Sequence, residues 1–346
     1  MLRYLKEDER GRCRTLWHEA FGEDSESFTD YYFTEKVKNN RILVLEEQGQ
    51  IVSMLHQNPY RLRVGSQIWP VDYIVGVATQ KKWRRRGCMR RLLVRMMQEM
   101  WEEGMPFCFL MPADEAIYRP FHFTWIFDQP KWELREDPAL TRQPLNALRD
   151  SAGYRGYLAT LADWMNRWLE ERYEVYAIRD EAYLRGLQKE LKSENGTLEV
   201  IYEEDRMVGM TGWWGLNVQE QRLLYAEPLY VRESGPARPA IMARIICLEQ
   251  FVKAIRLRED AETEERVIRL AVEDPLVAGN RGRWDWHLNR EASWLERPEE
   301  SGGAADLELT IEELTSWLFG YDVPEMAPRY EDMVKPLQGI FLDEVV

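Results

Sequence analysis

The 346-residue sequence predicts an α+β fold in which two mixed-sheet α/β units precede an α+β domain. Two observations carry this prediction. Strand and helix patterns alternate over the first two thirds of the chain, and loosely patterned stretches interrupt them twice, around 134–150 and at 234–239. We therefore expect units at residues 1–133, 134–238 and 239–346.

The first unit shows the clearest alternation. "GRCRTLWHEAFG" has helical spacing, and "RILVLEE" and "IVSMLHQ" flank a "QGQ" turn, which predicts a β-hairpin. The apolar "VDYIVGVAT" predicts a buried strand. A long amphipathic helix follows, with apolar residues at helical spacing from Met89 to Trp101 and an end at Gly104. "FCFLM" and "FTWIFDQ" predict two further strands around a short helix in "ADEAIYRPF".

The second unit repeats the hairpin arrangement of the first. Two helices, in "LATLADWMNRWLEER" and "EAYLRGLQKEL", surround the strand "YEVYAI", and "TLEVIYEEDRMVGMTGWWG" predicts a hairpin. We interpret the unit as a degenerate copy. "SGPARP" at 234–239 predicts a linker, and "IMARIICLEQFVKAI" predicts a helix that opens the third unit.

Composition excludes several classes of function. The chain has 46 basic and 60 acidic residues, a formal charge of −14, which opposes general binding of nucleic acid and favours cationic partners. No apolar run reaches membrane-spanning length, and the first residues are too charged for a signal peptide. The four cysteines lie far apart and no two His have metal-ligand spacing. We expect reduced thiols, a cytoplasmic location, and no metal site or membrane partner.

One short stretch is strongly basic, although the chain as a whole is acidic. Residues 81–95, "KKWRRRGCMRRLLVR", contain eight Lys or Arg and no acidic residue. They lie between a predicted strand and a predicted helix, where unpaired amides and the helix dipole bind anions. Gly87 permits close backbone approach, and Arg84, Arg85 and Arg86 suit a pyrophosphate. The alternative is that the later arginines are only the solvated face of the helix.

These segments resemble a known family. "VGVATQKKWRRRGCMRRLL" is similar to the acetyl-CoA motif R/Q-x-x-G-x-G/A of the GNAT N-acetyltransferases, with Arg84, Gly87 and Met89 in the three key places. Met89, in place of a small residue, is typical of the Eis-like (enhanced intracellular survival) branch. "DEAIYRPFHF" resembles that branch's IYxxFGY segment, with His122 and Phe123 replacing Gly and Tyr.

The third unit, with "RWDWHLN" and "LTSWLFGY", resembles the domain that closes Eis-like chains. The resemblance thus covers essentially the whole chain. It implies two GNAT-type mixed-sheet α/β units followed by a sterol-carrier-protein-like α+β domain. It also implies acetyl-CoA as co-substrate, no metal, and a homo-oligomer, a hexamer in Eis-like proteins.

The resemblance also implies roles for single residues. Backbone groups of Val75, Gly76 and Val77 would hydrogen-bond the pantetheine arm, and Ala113 and Asp114 would lie near the thioester. The pyrophosphate would be bound by Arg84, Arg85, Arg86, Gly87, Cys88, Met89 and Arg90. Tyr118 matches the general acid, and the α-carboxylate of Val346 matches the base.

The chemistry suits Tyr118 better than Val346. A phenol with a pKa of about 10 is protonated at neutral pH and can donate to a leaving thiolate. An α-carboxylate, with a pKa of about 3.5, is better suited to orient an amine or relay its proton. The alternative for the tail is a frayed end. Asp72 is a second candidate base or a structural residue, and His56 and His122 are expected to be packing or cleft-lining residues.

Three functions remain open at this stage. The first is acetyl transfer to a primary amine of a cationic small molecule, aminoglycoside-like or polyamine-like. The second is a catalytically inactive acyl-CoA-binding sensor that uses the same loop. The third is a lipid carrier centred on the last domain. A protonated Tyr118 and an apolar carboxyl-terminal tail favour the first.

Overall fold

The computed structural model describes residues 1–145, 154–298, 304–325 and 327–344. The first unit follows the predicted alternation, and its long helix buries the apolar stripe expected from Met89 onward, including Leu92, Met96 and Met100. The short helix expected in "ADEAIYRPF" consists of two 3₁₀ turns. The elements are β1 (Leu2–Tyr4), α1 (Arg14–Ala20), α2 (Glu26–Thr34), β2 (Arg41–Glu47), β3 (Gln50–Val64), β4 (Gln67–Thr79), α3 (Cys88–Glu102), β5 (Phe107–Leu110) and β6 (Thr124–Leu134).

The middle of the chain contains the predicted helices and hairpin. The elements are β7 (Leu140–Pro144), α4 (Tyr154–Glu170), β8 (Val175–Ala177), α5 (Glu181–Ser193), β9 (Thr197–Glu203), β10 (Arg206–Trp214), β11 (Glu220–Ala226) and β12 (Val231–Ile245). β9 and β10 pair through a two-residue turn, and the antiparallel sheet has the order β11-β10-β9-β7.

The last part of the chain is a small α+β domain. The elements are α6 (Leu248–Phe251), β13 (Arg256–Leu257), β14 (Glu265–Glu273), β15 (Gly282–Asn289), β16 (Ser293–Glu296), β17 (Leu307–Thr310), α7 (Ile311–Leu318), β18 (Val334–Lys335) and β19 (Ile340–Phe341). Its sheet has the order β16-β15-β14-β17. Helix α7 starts with a capping box, in which the Thr310 hydroxyl accepts from the Glu313 amide and the Glu313 carboxylate accepts from the Thr310 amide.

The main sheet draws strands from all three parts of the chain. Its path is β1-β2-β3-β4-β5-β12-β6, and β8 adds to the end of β3 and in turn pairs with β19. Nine strands therefore form one mixed sheet within the described residues, with parallel pairing at β4–β5 and β8–β19. In the described parts of the chain, no helix combines the length and the apolar character that a membrane span requires.

β12 corrects two sequence-based predictions. The linker expected at 234–239 and the first part of the helix expected after it form one strand, which lies between β5 and β6. Register shifts between Glu233 and Met242 accommodate the Gly and Pro residues. Residues 241–245 are all buried, so the segment has no period-2 alternation, and a continuous apolar run does not distinguish strand from helix. The boundary placed at 238/239 falls inside this strand.

Candidate active site

A cleft opens where β4 and β5 separate. The two parallel strands pair only at Asp72–Cys108 and Tyr73–Phe109, whereas β4 continues to Thr79. A bulge bends β4 at this point, since the register against β3 shifts between Met54 and His56. Gly76 lies in the bulge with φ +60°, and a Cβ there would come within 2.8 Å of the Trp17 ring. Only glycine fits this position.

The cleft has a volume of about 750 Å³, within the usual range for small-molecule sites. Apolar side chains such as Met111, Ile117 and Phe121, which the sequence analysis did not single out, form part of its wall. Most of the sequence-predicted site residues also line it: Val75, Gly76, Val77, Arg84, Arg85, Gly87, Cys88, Met89, Arg90, Ala113 and Tyr118. Distant parts of the predicted motif therefore surround a single cavity.

The basic loop forms part of the wall of this cleft. Arg85 (φ +60°) and Gly87 (φ +73°) both have left-handed backbone, which turns the chain sharply before α3. The first helical hydrogen bond runs from the Arg91 amide to the Gly87 carbonyl at 3.1 Å. The amides of residues 88–90 therefore precede the helical ladder, at the positive end of a 15-residue helix. This arrangement suits an anion.

Two predicted ligands lie outside the residues that line the cleft. The exposed Arg86 guanidinium packs over the Trp83 ring, 5.2 Å from its centroid. The exposed Asp114 caps a 3₁₀ turn, because its carboxylate accepts a 2.9 Å hydrogen bond from the Ala116 amide. Their roles as ligands stay predictions.

Tyr118 also lines this cleft. Its side chain is buried, with the ring edge-on to Phe123 at 5.9 Å between centroids. Burial raises the pKa of Tyr118 to about 12, so the phenol is protonated at neutral pH. The hydroxyl makes no hydrogen bond to any residue that the structure describes. Its proton is therefore free to be donated into the cleft.

A second cleft, of about 540 Å³, lies between α2, β3 and α5. Tyr60 lines this cleft, Tyr73 lines the first, and their ring centroids are 6.4 Å apart. The two clefts therefore approach each other from opposite sides of this ring pair. The second cleft has no local sequence motif, because its walls come from segments as far apart in the chain as Tyr31 and Glu344.

Buried charges hold the end of the described chain against the second cleft. The fully buried Arg179 guanidinium donates to Asp343 at 2.8 Å and to Glu344 at 2.5 Å. Tyr225 adds a hydrogen bond from its hydroxyl to Asp343 (2.9 Å), and Arg222 donates to the Asp343 carbonyl (3.0 Å). Burial raises the pKa of Glu344. The chain is thus docked as far as Glu344, and Val346 lies outside the described residues.

The remaining titratable candidates face away from the clefts or pack within the sheet. Asp72 is buried and accepts from Gln57 at 3.2 Å, and burial raises the pKa of its carboxyl to about 6. It precedes Tyr73 on β4 and therefore points to the opposite face. His56 shares a 2.8 Å hydrogen bond with the Tyr32 hydroxyl, and burial lowers the pKa of its ring to about 3. His122 lies 3.8 Å from Glu312.

Comparison with known proteins gives two domain matches. Residues 1–126 match the family model described as "Acetyltransferase (GNAT) domain", and residues 248–337 match the model described as "Sterol carrier protein domain". A sequence comparison with curated proteins finds no match.

Solved structures resemble nearly the whole chain. A conserved protein from Enterococcus faecalis, described as a "Probable N-Acyltransferase", has a TM-score of 0.74 at 15% identity, covering 98% of this chain and 93% of that one. A GCN5-related N-acetyltransferase from Anabaena variabilis has a TM-score of 0.72 at 16% identity, covering 97% and 94%. Eis1 from Mycobacterium abscessus has a TM-score of 0.68 at 15% identity, covering 97% and 93%. At these identities the likeness establishes the fold.

Proposed function

With a GNAT acetyltransferase domain at residues 1–126 and a sterol carrier protein domain at 248–337 as the premise, we propose that this chain is an acetyl-CoA-dependent N-acetyltransferase acting on a primary amine of a small molecule. The proposal rests on the state and position of the Tyr118 hydroxyl. A buried, protonated hydroxyl without a partner among the described residues lines the same cleft as a basic loop. A phenol in that state is a proton donor for a leaving thiolate.

The lining of the first cleft supports acetyl-CoA as its ligand. The amides of residues 88–90, with Arg84 and Arg85 beside them, suit the anionic pyrophosphate. Beyond Tyr73, β4 no longer pairs with β5, and the bulge at Gly76 bends β4 in this region. This supports hydrogen bonding of the ligand by backbone groups of Val75 and Val77. When bound, acetyl-CoA supplies an activated acetyl thioester.

The protein contributes proton transfer and exclusion of water. Tyr118 donates its proton to the departing sulfur. The apolar side chains of Met111 and Phe121, which line the same cleft, reduce the access of water to that sulfur. The acceptor amine approaches from the second cleft, past Tyr60 and Tyr73. It must lose a proton to attack, and the α-carboxylate of Val346 is our proposed group for orienting it or relaying that proton. The docking of Glu344 supports this, because two further residues span at most about 7 Å.

The identity of the acceptor and the Eis-like assignment are narrower proposals. The net charge of −14 supports an acceptor that enters as a protonated amine, and this charge is the only support for an aminoglycoside or a polyamine as the acceptor. Met89 and the "IYRPF" segment support membership of the Eis-like branch, and with it a homo-oligomer in the cytoplasm.

The proposal is tested by two measurements on the purified chain. Calorimetry of acetyl-CoA binding tests the first cleft, and release of free CoA thiol in the presence of a panel of primary amines tests the reaction. Binding without turnover of any amine would favour the inactive acyl-CoA sensor. Binding of a fluorescent fatty acid without binding of acetyl-CoA would favour the lipid carrier.

A further inference from the structure

We propose that the acceptor carries a carboxylate next to its reactive amine, as an amino acid does, and that Lys36 binds this carboxylate in the second cleft. The inference rests on the proposed function and names its substrate class. It departs from the polycationic acceptor that the overall charge predicts. The inference is based on the charged residues that line the second cleft.

The lining of the second cleft is more basic than the protein as a whole. Within the described residues, the charged side chains that line it are six basic and four acidic: Lys36, Lys38, Arg61, Arg185, Lys189 and Arg222, and Glu35, Asp180, Glu190 and Glu344. The chain overall has 46 basic and 60 acidic residues. A purely cationic acceptor would therefore enter a cleft that carries the wrong balance of charge.

All four acidic groups already have partners within the protein. Glu35 pairs with both Lys38 (3.1 Å) and Lys189 (2.5 Å). Glu190 lies 3.4 Å from Arg222, and Glu344 receives a hydrogen bond from Arg179. Asp180 caps α5, because its carboxylate accepts from the Tyr183 amide at 2.8 Å. Three of these four carboxylates therefore already lie beside a cation of the protein, which leaves a polycation little negative charge beyond Asp180 and the second oxygen of Glu344.

Lys36 differs from most of the cations around it. Its ammonium forms no ion pair with a carboxylate among residues 1–145, 154–298, 304–325 and 327–344. It donates to the Tyr60 hydroxyl at 2.9 Å and lies 5.4 Å from that ring's centroid, so it sits beside the ring pair that separates the clefts. An anionic group of the acceptor bound here would lie close to the reacting amine. Arg61, which also lines the cleft, likewise has no ion pair to a described residue.

A carboxylate in the lining of the same cleft suits the amine itself. Glu344 is buried, and its Oε2 atom makes no hydrogen bond to a described residue, whereas its Oε1 accepts from Arg179. Because this oxygen is buried, a small movement of the Glu344 side chain would bring it to a protonated amine in the cleft, which would satisfy it. The lining of the cleft therefore offers an acceptor for an ammonium at Glu344 and a cation for a carboxylate at Lys36, beside Tyr60. This pattern matches a molecule that carries both groups.

The test compares acceptors that differ only in the carboxylate. Phenylalanine, phenylalaninamide and phenethylamine form one series, and lysine, lysinamide and cadaverine form a second; spermidine and an aminoglycoside represent the polycations. We expect kcat/KM for the amino acid to exceed that for its carboxamide by about tenfold, the usual worth of a charge-assisted hydrogen bond. Lys36→Met should reduce this ratio to near one, and Lys36→Arg should restore most of it.

Lys38→Met is the matched control. Lys38 lines the same cleft, but its ammonium is already held in an ion pair with Glu35, so the ratio should keep its wild-type value. Acetyl-CoA binding by calorimetry shows that each variant is folded. The inference is overturned if wild type acetylates the carboxamide or the polycations as well as the amino acid, or if Lys36→Met keeps the preference. If acetyl-CoA binds and no amine is acetylated at all, the proposed function fails, and the inference with it.

Discussion

The rings of Tyr60 and Tyr73 lie 6.4 Å apart between centroids, and each lines a different cleft. Both rings also approach Phe109, at 6.4 and 5.1 Å. Burial raises the pKa of both phenols well beyond the usual range, so neither is charged at neutral pH. The junction between the clefts is therefore lined by uncharged aromatic rings, with the basic loop in the first cleft and Lys36 in the second.

Gly87→Asp should weaken acetyl-CoA binding by about 100-fold. The residue precedes the amides at the start of α3, and a carboxylate there would repel the pyrophosphate by up to about 4 kcal/mol at 4 Å in a medium of intermediate dielectric constant. Gly87→Asn is the control, because Asn has the same shape, tolerates the left-handed backbone and carries no charge. Calorimetry on both variants separates charge from conformation. Equal affinities would remove the loop from the binding site.

Tyr118→Phe should lower turnover by about 10²–10⁴-fold while acetyl-CoA affinity is retained. The change keeps the buried ring against Phe123 and removes only the proton donor. Single-turnover kinetics measures the chemical step. A wild-type rate in the variant would leave Tyr118 as a packing residue.

The pKa of Tyr118 also predicts the alkaline limit of the rate. The protonated phenol is the active form, and burial raises its pKa to about 12, so the donor stays protonated as pH rises through 10. We expect no loss of rate attributable to this group between pH 8 and pH 10, measured as kcat with saturating amine. A fall centred near the ordinary phenol pKa that disappears in Tyr118→Phe would contradict the buried environment.

The loop and α3 could be predicted from sequence because their signals are local. Gly87 and its arginines are adjacent, and the apolar stripe from Met89 to Trp101 recurs with helical period. The second cleft could not, because Lys36, Tyr60 and Glu344 come together only through tertiary packing. The sequence predicts a linker and a helix where β12 lies, because burial on both faces at residues 241–245 removes the period that distinguishes strand from helix.

Arg179→Met should destabilise the protein by about 3–5 kcal/mol, because it leaves Asp343 and Glu344 buried without their cation. Urea unfolding measures the change. Arg63→Met is the control, since its 3.5 Å pair with Glu170 is far more exposed and should be worth under about 1 kcal/mol. Similar losses in the two variants would mean that the buried network does not hold the tail.

The position of the carboxyl terminus should matter for catalysis. If the Val346 carboxylate orients or deprotonates the amine, a few residues added after it would move that charge while leaving the Arg179 contacts to Asp343 and Glu344 in place. Misplacement by about 1 Å can cost roughly 100-fold in rate. A carboxyl-terminal tag should therefore reduce turnover far more than an amino-terminal one, with little change in acetyl-CoA affinity.

Paired kinetics on the two tagged forms, with thermal melts to show that both are folded, makes the comparison. Equal turnover would exclude the terminal carboxylate. Asp72 points away from the clefts and is held by Gln57, so a bound water or the Glu344 side chain would then be the base to examine.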